Sequence, residues 1–236
     1  MKDAAKRRKS ELYSHLKTAI MTLELRPGAD LDETQLSESF SLSRTPLREV
    51  FRQLAGDGYV DLRENRGARV SEMSHTTLRD FFLAAPMIYG AVLQLAAKNA
   101  RSTQIEALKK AQEDFKSALR HGSGADRTMA NNLFHEITGE MADNIYLLPS
   151  FRRLLIDHAR IGMTFYRPQN PTMVENLSEA SLQHDAIIAA IETGDETQAG
   201  RLAVEHWNLS RDQIELFVMP AALDMPLGSI ARQTPA

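Results

Sequence analysis

Two breaks constrain the front of this chain more than any other feature. Arg26-Pro27-Gly28 stops one helical pattern and Gly56-Asp57-Gly58 stops another. Proline cannot continue the helical hydrogen-bond ladder, and glycine accepts the turn that follows. Between them runs Ser41-Leu-Ser-Arg-Thr-Pro-Leu-Arg-Glu-Val-Phe-Arg-Gln-Leu54, a short polar turn that becomes a helix. Ser43 is placed to accept hydrogen bonds from the orphan amides of the first turn, where Pro46 is also tolerated. Leu47, Val50, Phe51 and Leu54 recur at three- and four-residue spacing and make one apolar stripe. Arg44, Arg48 and Arg52 form a cationic row beside it. A helix that buries one face and leads with arginine and hydroxyls suits the DNA major groove. There arginine pairs bidentately with guanine, and Ser43 and Thr45 reach phosphates. An ordinary surface helix with solvated arginines carries the same pattern, so the neighbouring segments decide.

Upstream, residues Lys2 to Lys9 read as a free basic arm, and a first helix spans about Ser10 to Leu25, with Leu12, Leu16, Ile20 and Leu23 on one side. Leu31 reads as a brief extended piece, and Asp32 or Thr34 caps a second short helix containing Leu36 and Phe40. Two short helices joined by a tight turn are the helix-turn-helix arrangement. Downstream, Tyr59–Leu62 and Ala68–Val70 read as two strands around a polar turn with Arg63 and Arg66 at its tip. A hairpin behind a reading helix makes a wing whose basic tip fits a minor groove; a plain packed hairpin is the alternative. The agreement of helix, break, helix-turn-helix, break and hairpin favours the DNA reading.

These residues, "LRPGADLDETQLSESFSLSRTPLREVFRQLAGDGYVDLRENRGARV", resemble the winged helix-turn-helix of GntR-type transcription regulators. The resemblance implies DNA contacts from Ser43, Arg44, Thr45 and Arg48 on the recognition helix and from Gly67 in the wing. Arg66 is added as its neighbour. Thr34 stands where some relatives carry arginine, which removes one phosphate contact.

Charge alone does not point to nucleic acid. The net charge is −3; residues 1–75 hold 13 Lys/Arg against 12 Asp/Glu and the remainder 15 against 19, so the front is about +1 and the rest −4. DNA binding then has to come from local placement. There is no cysteine, hence no disulfide framework and no thiolate metal site. No apolar run reads as a membrane span and Met1 begins no signal peptide, so a soluble cytoplasmic protein without membrane partners is expected.

The expected fold is mainly α: a winged helix-turn-helix domain over residues 1–74, an all-helical domain over 75–220 and a loose tail over 221–236. Helices are expected at Thr76–Asn99, Ser102–His121, Asp126–Asp143, Leu147–Phe165, Met173–Thr193 and Glu196–Pro220. A bundle of this size holds cavities between helices. His135 lies four residues after Asn131, so both project from one helical face. His184 sits ten residues before Gly194 and His206 twelve after it. If the chain folds back there, both lie roughly 15–18 Å from the turn, on facing helices. Three converging imidazoles suit a first-row divalent ion, with zinc the leading candidate, although a lone buried histidine is more often a core residue. His15, His75, His121 and His158 show no such register and read as structural or exposed. His135-Glu136 begins a zincin-like motif, but Gly139 stands where its second histidine belongs.

"NNLFHEITGEMADN", "LQHDAIIAAIETGDETQAGRLAVEHW" and "LQLAAKNA" resemble the FCD ligand-binding domain of the FadR branch of GntR regulators. The resemblance implies a dimeric six- or seven-helix bundle that binds small organic acids beside a metal held by Asn131, His135, His184 and His206. The first ligand is usually aspartate, and Asn131 replaces it here. The usual arginine and glutamate of the first bundle helix fall on Pro86 and Tyr89, so the carboxylate-anchoring arginine is missing, and Pro86 should kink that helix. Tyr89 and Asn144 are the candidate effector-binding residues. Met87, Met129, Met141 and Met163 would suit a bulky or aromatic ligand. The expectation is a homodimeric repressor on a pseudo-palindromic double-stranded operator, released by a small acidic or aromatic metabolite, with no catalytic residues. The alternatives are a metal-dependent enzyme using Glu136 or Glu205 as base, and a regulator whose metal is purely structural.

Overall fold

The computed structural model describes residues 2–64 and 67–218; Arg66 and the expected tail over 221–236 lie outside them. In chain order the described elements are α1 (Lys2–Met21), α2 (Glu33–Ser39), α3 (Arg44–Asp57), β1 (Val60–Arg63), β2 (Gly67–Val70), α4 (His75–Asn99), α5 (Ser102–His121), α6 (Gly124–Met141), α7 (Leu147–Phe165), α8 (Pro171–Glu192) and α9 (Glu196–Val218).

In the front part the apolar stripe of α3 is buried as Leu47, Val50, Phe51 and Leu54, packed against Leu12, Leu16 and Ile20 of α1. Asp32 caps α2 by accepting from the amides of Thr34 and Gln35. At α3 the expected cap is absent: Ser43 holds the cap position but its hydroxyl accepts no bond from the helix. The chain enters α3 through Ser41, whose φ is +49°. Gly58, at φ +89°, supplies the left-handed residue that ends α3 and returns the chain to β1. The hairpin is antiparallel, from Val60 opposite Val70 to Arg63 opposite Gly67. The extended piece expected at Leu31 lies on its outer edge, where the Leu31 amide donates to the Ala68 carbonyl.

The basic arm departs from expectation. It is the first turns of α1, rich in helix-forming alanine, lysine and arginine. Lys9 pairs with Glu49 at 2.9 Å, and Arg8 donates to the Ser41 carbonyl, so the arm braces α3.

Helices α4 to α9 enclose a second core that includes Phe81, Tyr89, Leu93, Leu108, Phe134, Phe151, Ile187, Leu202 and Trp207. α4 continues through Pro86, although the ring removes one ladder donor. By length and composition α4 could cross a bilayer, contrary to the sequence expectation. It serves here as a core helix, burying Phe81, Ala85, Tyr89, Val92, Leu93, Ala96 and Ala97. The two cores meet along α7, whose Ile156 and Ala159 belong to the front core while Phe151 and Leu155 belong to the rear one. Arg160, wholly buried, donates to the Ser71 carbonyl and hydroxyl and to Asp157. Lys17 of α1 reaches Glu136 of α6 at 2.6 Å.

Candidate metal centre and nucleic-acid interface

All six helices of the rear bundle contribute to one buried cluster. α6 brings Asn131 and His135, α8 His184 and α9 His206; α4 adds Tyr89, α5 Gln112 and α7 His158. One ligating nitrogen from each of His135, His184 and His206 lies within 4.8 Å of the others. The fold-back at Gly194, where φ is +68°, brings α8 and α9 side by side, as the spacing argument requires.

Two side-chain amides, the buried Gln112 and the half-buried Gln183, fix the tautomers of His184 and His206. Gln112 donates its Nε2 to the Ser181 carbonyl and to Asp185, both acceptors only, so its Oε1 must be the atom 3.0 Å from His184 Nδ1. A carbonyl oxygen accepts, so that nitrogen carries the proton. Gln183 likewise donates to Glu179 and turns its Oε1 to His206 Nδ1 at 3.0 Å. Both rings therefore keep a lone pair on Nε2, the arrangement by which outer-shell partners orient metal-ligating histidines. His135 Nε2, His184 Nε2 and Asn131 Oδ1 are buried with no hydrogen-bond partner. Buried polar atoms left without a partner are costly unless something binds them.

Burial holds all four clustered imidazoles neutral. His206 is lowered to about 4 and His158 to about 3, in both cases chiefly by desolvation. His135 and His184 are pushed well down by burial first and then by the neighbouring rings. Neutral imidazoles are the form that binds a cation. Phe134 stacks on His184 at 3.8 Å and fixes that ring in place.

Three residues of this cluster escaped sequence reasoning. His158, expected to be structural or exposed, is buried with its ring centroid 5.0 Å from His135, and its Nδ1 lies 2.6 Å from the Tyr89 hydroxyl. Its signal was its place in an apolar stripe with Phe151 and Leu155. Gln112 interrupts the apolar row of Leu108, Ala111 and Phe115. Gln183 gave no signal, since its partner lies on another helix.

Asn144, by contrast, stands in the turn after α6, where its side-chain carbonyl accepts from the amides of Tyr146 and Leu147 and starts α7. The turn has its own use for that residue. The four methionines do not line one space. Met87 is exposed, Met141 is in the rear core, Met129 packs on the front core, and the Met163 sulfur accepts from Thr128. Glu136 is engaged by Lys17 and Asn132, and Glu205 lies on the surface beside Arg201, so neither faces the cluster as a free base.

At the other end, Ser43, Arg44, Thr45, Arg48 and Arg52 are all exposed along α3. Arg48 approaches Glu33 of α2 through two contacts of 3.4 Å. Glu33 also abuts Gly67, where a Cβ would lie 3.0 Å from its Oε1. Gly67, at φ +76°, thus opens the wing while leaving room for the carboxylate that holds Arg48.

Residues 8–70 match the family model "Bacterial regulatory proteins, gntR family", and residues 86–209 match the "FCD domain" model. The chain belongs to the GntR family of regulators, in its FCD-bearing branch. The HTH-type transcriptional repressor RspR of Escherichia coli is 26% identical over 198 residues, 83% of this chain and 84% of that protein. A probable D-xylose utilization operon transcriptional repressor of Paenarthrobacter nicotinovorans is 27% identical over 182 residues, 76% of each. Among solved structures, E. coli McbR/YncC superposes with a TM-score of 0.74 at 17% identity, covering 89% of this chain and 98% of that one. A putative transcriptional regulator GntR from Rhodococcus sp. RHA1 gives 0.63 at 20%, covering 88% and 97%. The GntR-family chain is thus a transcriptional regulator with a helix-turn-helix head and a helical FCD domain.

Proposed function

We propose that this regulator is a homodimeric repressor that binds a pseudo-palindromic operator in the cytoplasm and leaves it when a small acidic or aromatic metabolite enters the FCD domain beside a bound divalent ion. The observation that carries the reading is the convergence of three neutral imidazoles, two of them tautomer-fixed, with an orphaned Asn131 carbonyl, beneath a head whose arginines are exposed. Asn131, His135, His184 and His206 fit a zinc ion as four neutral donors. Such an ion supplies a Lewis-acidic position for an oxygen ligand. With no carboxylate in the set, the full dipositive charge remains to attract an anion, at some cost in metal affinity.

The residues between site and head suggest how binding is communicated. α7 turns His158 toward the cluster, while Ile156, Ala159 and Arg160 contact the head and the Ser71 connector. A shift of α7 on ligand entry would re-aim the two heads, and only a ligand that prefers one arrangement shifts the equilibrium. On DNA, Ser43, Arg44, Thr45 and Arg48 read the major groove, and Gly67 with Arg66 reaches the minor groove. The enzyme reading is disfavoured by the engagement of Glu136 and Glu205 elsewhere.

The test is fluorescence anisotropy of the full chain on DNA from upstream of its own gene. Wild type should prefer an operator-length fragment over scrambled DNA. Arg48→Ala should lose about 1–3 kcal/mol of that preference. Equal binding to both fragments by the wild type would overturn the reading.

A further inference from the structure

The Tyr89–His158 pair has a consequence beyond packing. The Tyr89 hydroxyl is buried and has one polar neighbour among the described residues, His158 Nδ1 at 2.6 Å. A phenol that only accepted from this ring would leave its own proton without an acceptor, so it donates and Nδ1 accepts. A neutral imidazole that accepts at Nδ1 carries its proton on Nε2. His158 is therefore of opposite polarity to His184 and His206. Those two present a lone pair, and His158 presents an N–H that ligates no metal. That N–H has no protein acceptor among the described residues, and it is not among the polar atoms sealed from solvent. A second donor stands close by. Trp207, adjacent in sequence to His206 and 5.9 Å from the Tyr89 ring, buries an indole N–H with no acceptor. Lone pairs for a cation, with a donor in want of an acceptor on His158 in the same cluster, define a ligand that brings oxygen.

We propose that His158, held as its Nε2–H tautomer by Tyr89, is the ligand-orienting donor of the FCD site, giving that N–H to a second oxygen of the acidic metabolite that the reading above places beside the ion. This rests on the reading above that an ion occupies the three-histidine cluster. It replaces a cationic anchor by a neutral, directional one. It also selects on the second oxygen, since a metal ligand without that acceptor gains nothing from His158.

Trp207 is the chain's single tryptophan, so its fluorescence reports on the site. The zinc-loaded full chain is titrated with acetate, the smallest suitable carboxylate, and with imidazole, a metal ligand that brings no oxygen. His158→Phe keeps the ring and removes the donor. It should weaken acetate roughly tenfold or more, the scale of a hydrogen bond to a charged group, while imidazole and zinc affinities stay within about twofold. Tyr89→Phe, the milder change, should weaken acetate less and free the tautomer. Long-range 1H–15N spectra of metal-free wild type should place the His158 proton on Nε2. A proton on Nδ1, no acetate response in the zinc-loaded wild type, or unchanged acetate affinity in both variants overturns the proposal. A chain that takes up no zinc at all sinks the ion reading alone, and the NMR result still decides the donor.

Discussion

Arg160→Ala should do more damage than any other single change outside the two hydrophobic cores. The guanidinium is wholly buried and makes three bonds, at 3.2 Å to the Ser71 carbonyl, 3.0 Å to the Ser71 hydroxyl and 3.2 Å to Asp157. Truncation strands the nearly buried Asp157 with only a 3.4 Å contact to the half-exposed Arg153, and orphans two oxygens of Ser71. Breaking a buried ion pair from one side costs about 3–5 kcal/mol. The loss should fall on the joint between head and bundle, because Ser71 lies in the connector and Asp157 and Arg160 lie on α7. Urea unfolding followed by Trp207 fluorescence and far-UV circular dichroism measures it. Wild type should unfold in coincident transitions, since α7 residues sit in both cores. Arg160→Ala should separate them, with the head melting first. The double variant Asp157→Asn/Arg160→Met, which removes both charges, should recover part of the loss. A cost below about 1 kcal/mol with the two probes still coincident would refute the claim that this pair joins the domains.

Other expectations follow from the same geometry. The unfolded chain takes up protons on its histidines below pH 6.5, whereas folded His206 and His158 resist down to about 4 and about 3. Their stabilisation is therefore complete above pH 6.5 and is lost as pH falls through that window. These two rings alone should remove about 3 kcal/mol between pH 6.5 and 5, and denaturation midpoints that do not move would contradict their burial as neutral rings. Asn131→Asp adds a charged donor and should tighten zinc binding about tenfold or more by competition titration; weaker binding would remove Asn131 from the ligand set. Gly67→Ala combines a strained φ with a Cβ against Glu33, at a cost of roughly 1–2 kcal/mol. It should weaken operator binding with little change in the bundle, and full-strength binding would place the wing away from the DNA.

Helix periodicity made the bundle legible. α5 and α7 begin and end at the expected residues because Gly122 and the two apolar stripes mark them without competition. The first turns of α1 were not legible, since Lys2 to Lys9 have helix propensity but no apolar repeat to reveal it. His135, His184 and His206 could be brought together from spacing because a fold-back at Gly194 is itself visible in the sequence. His158, Gln112 and Gln183 could not, since their partners lie 69, 72 and 23 residues away on other helices. Asn144 shows the converse: the residue singled out for a ligand also has a local turn to serve, through the amides of Tyr146 and Leu147. Arg160 gave no signal of its own, since its partner Ser71 lies 89 residues away in the connector.

The claim beneath the reading head is that Asn131, His135, His184 and His206 hold a divalent ion. Equilibrium dialysis of the full chain against zinc, followed by anomalous diffraction from the loaded crystals, tests it most directly. One zinc per chain is expected, with ligand distances of about 2.0–2.2 Å to those four residues. Zinc bound elsewhere, or a chain that emerges from dialysis without it, would contradict the account.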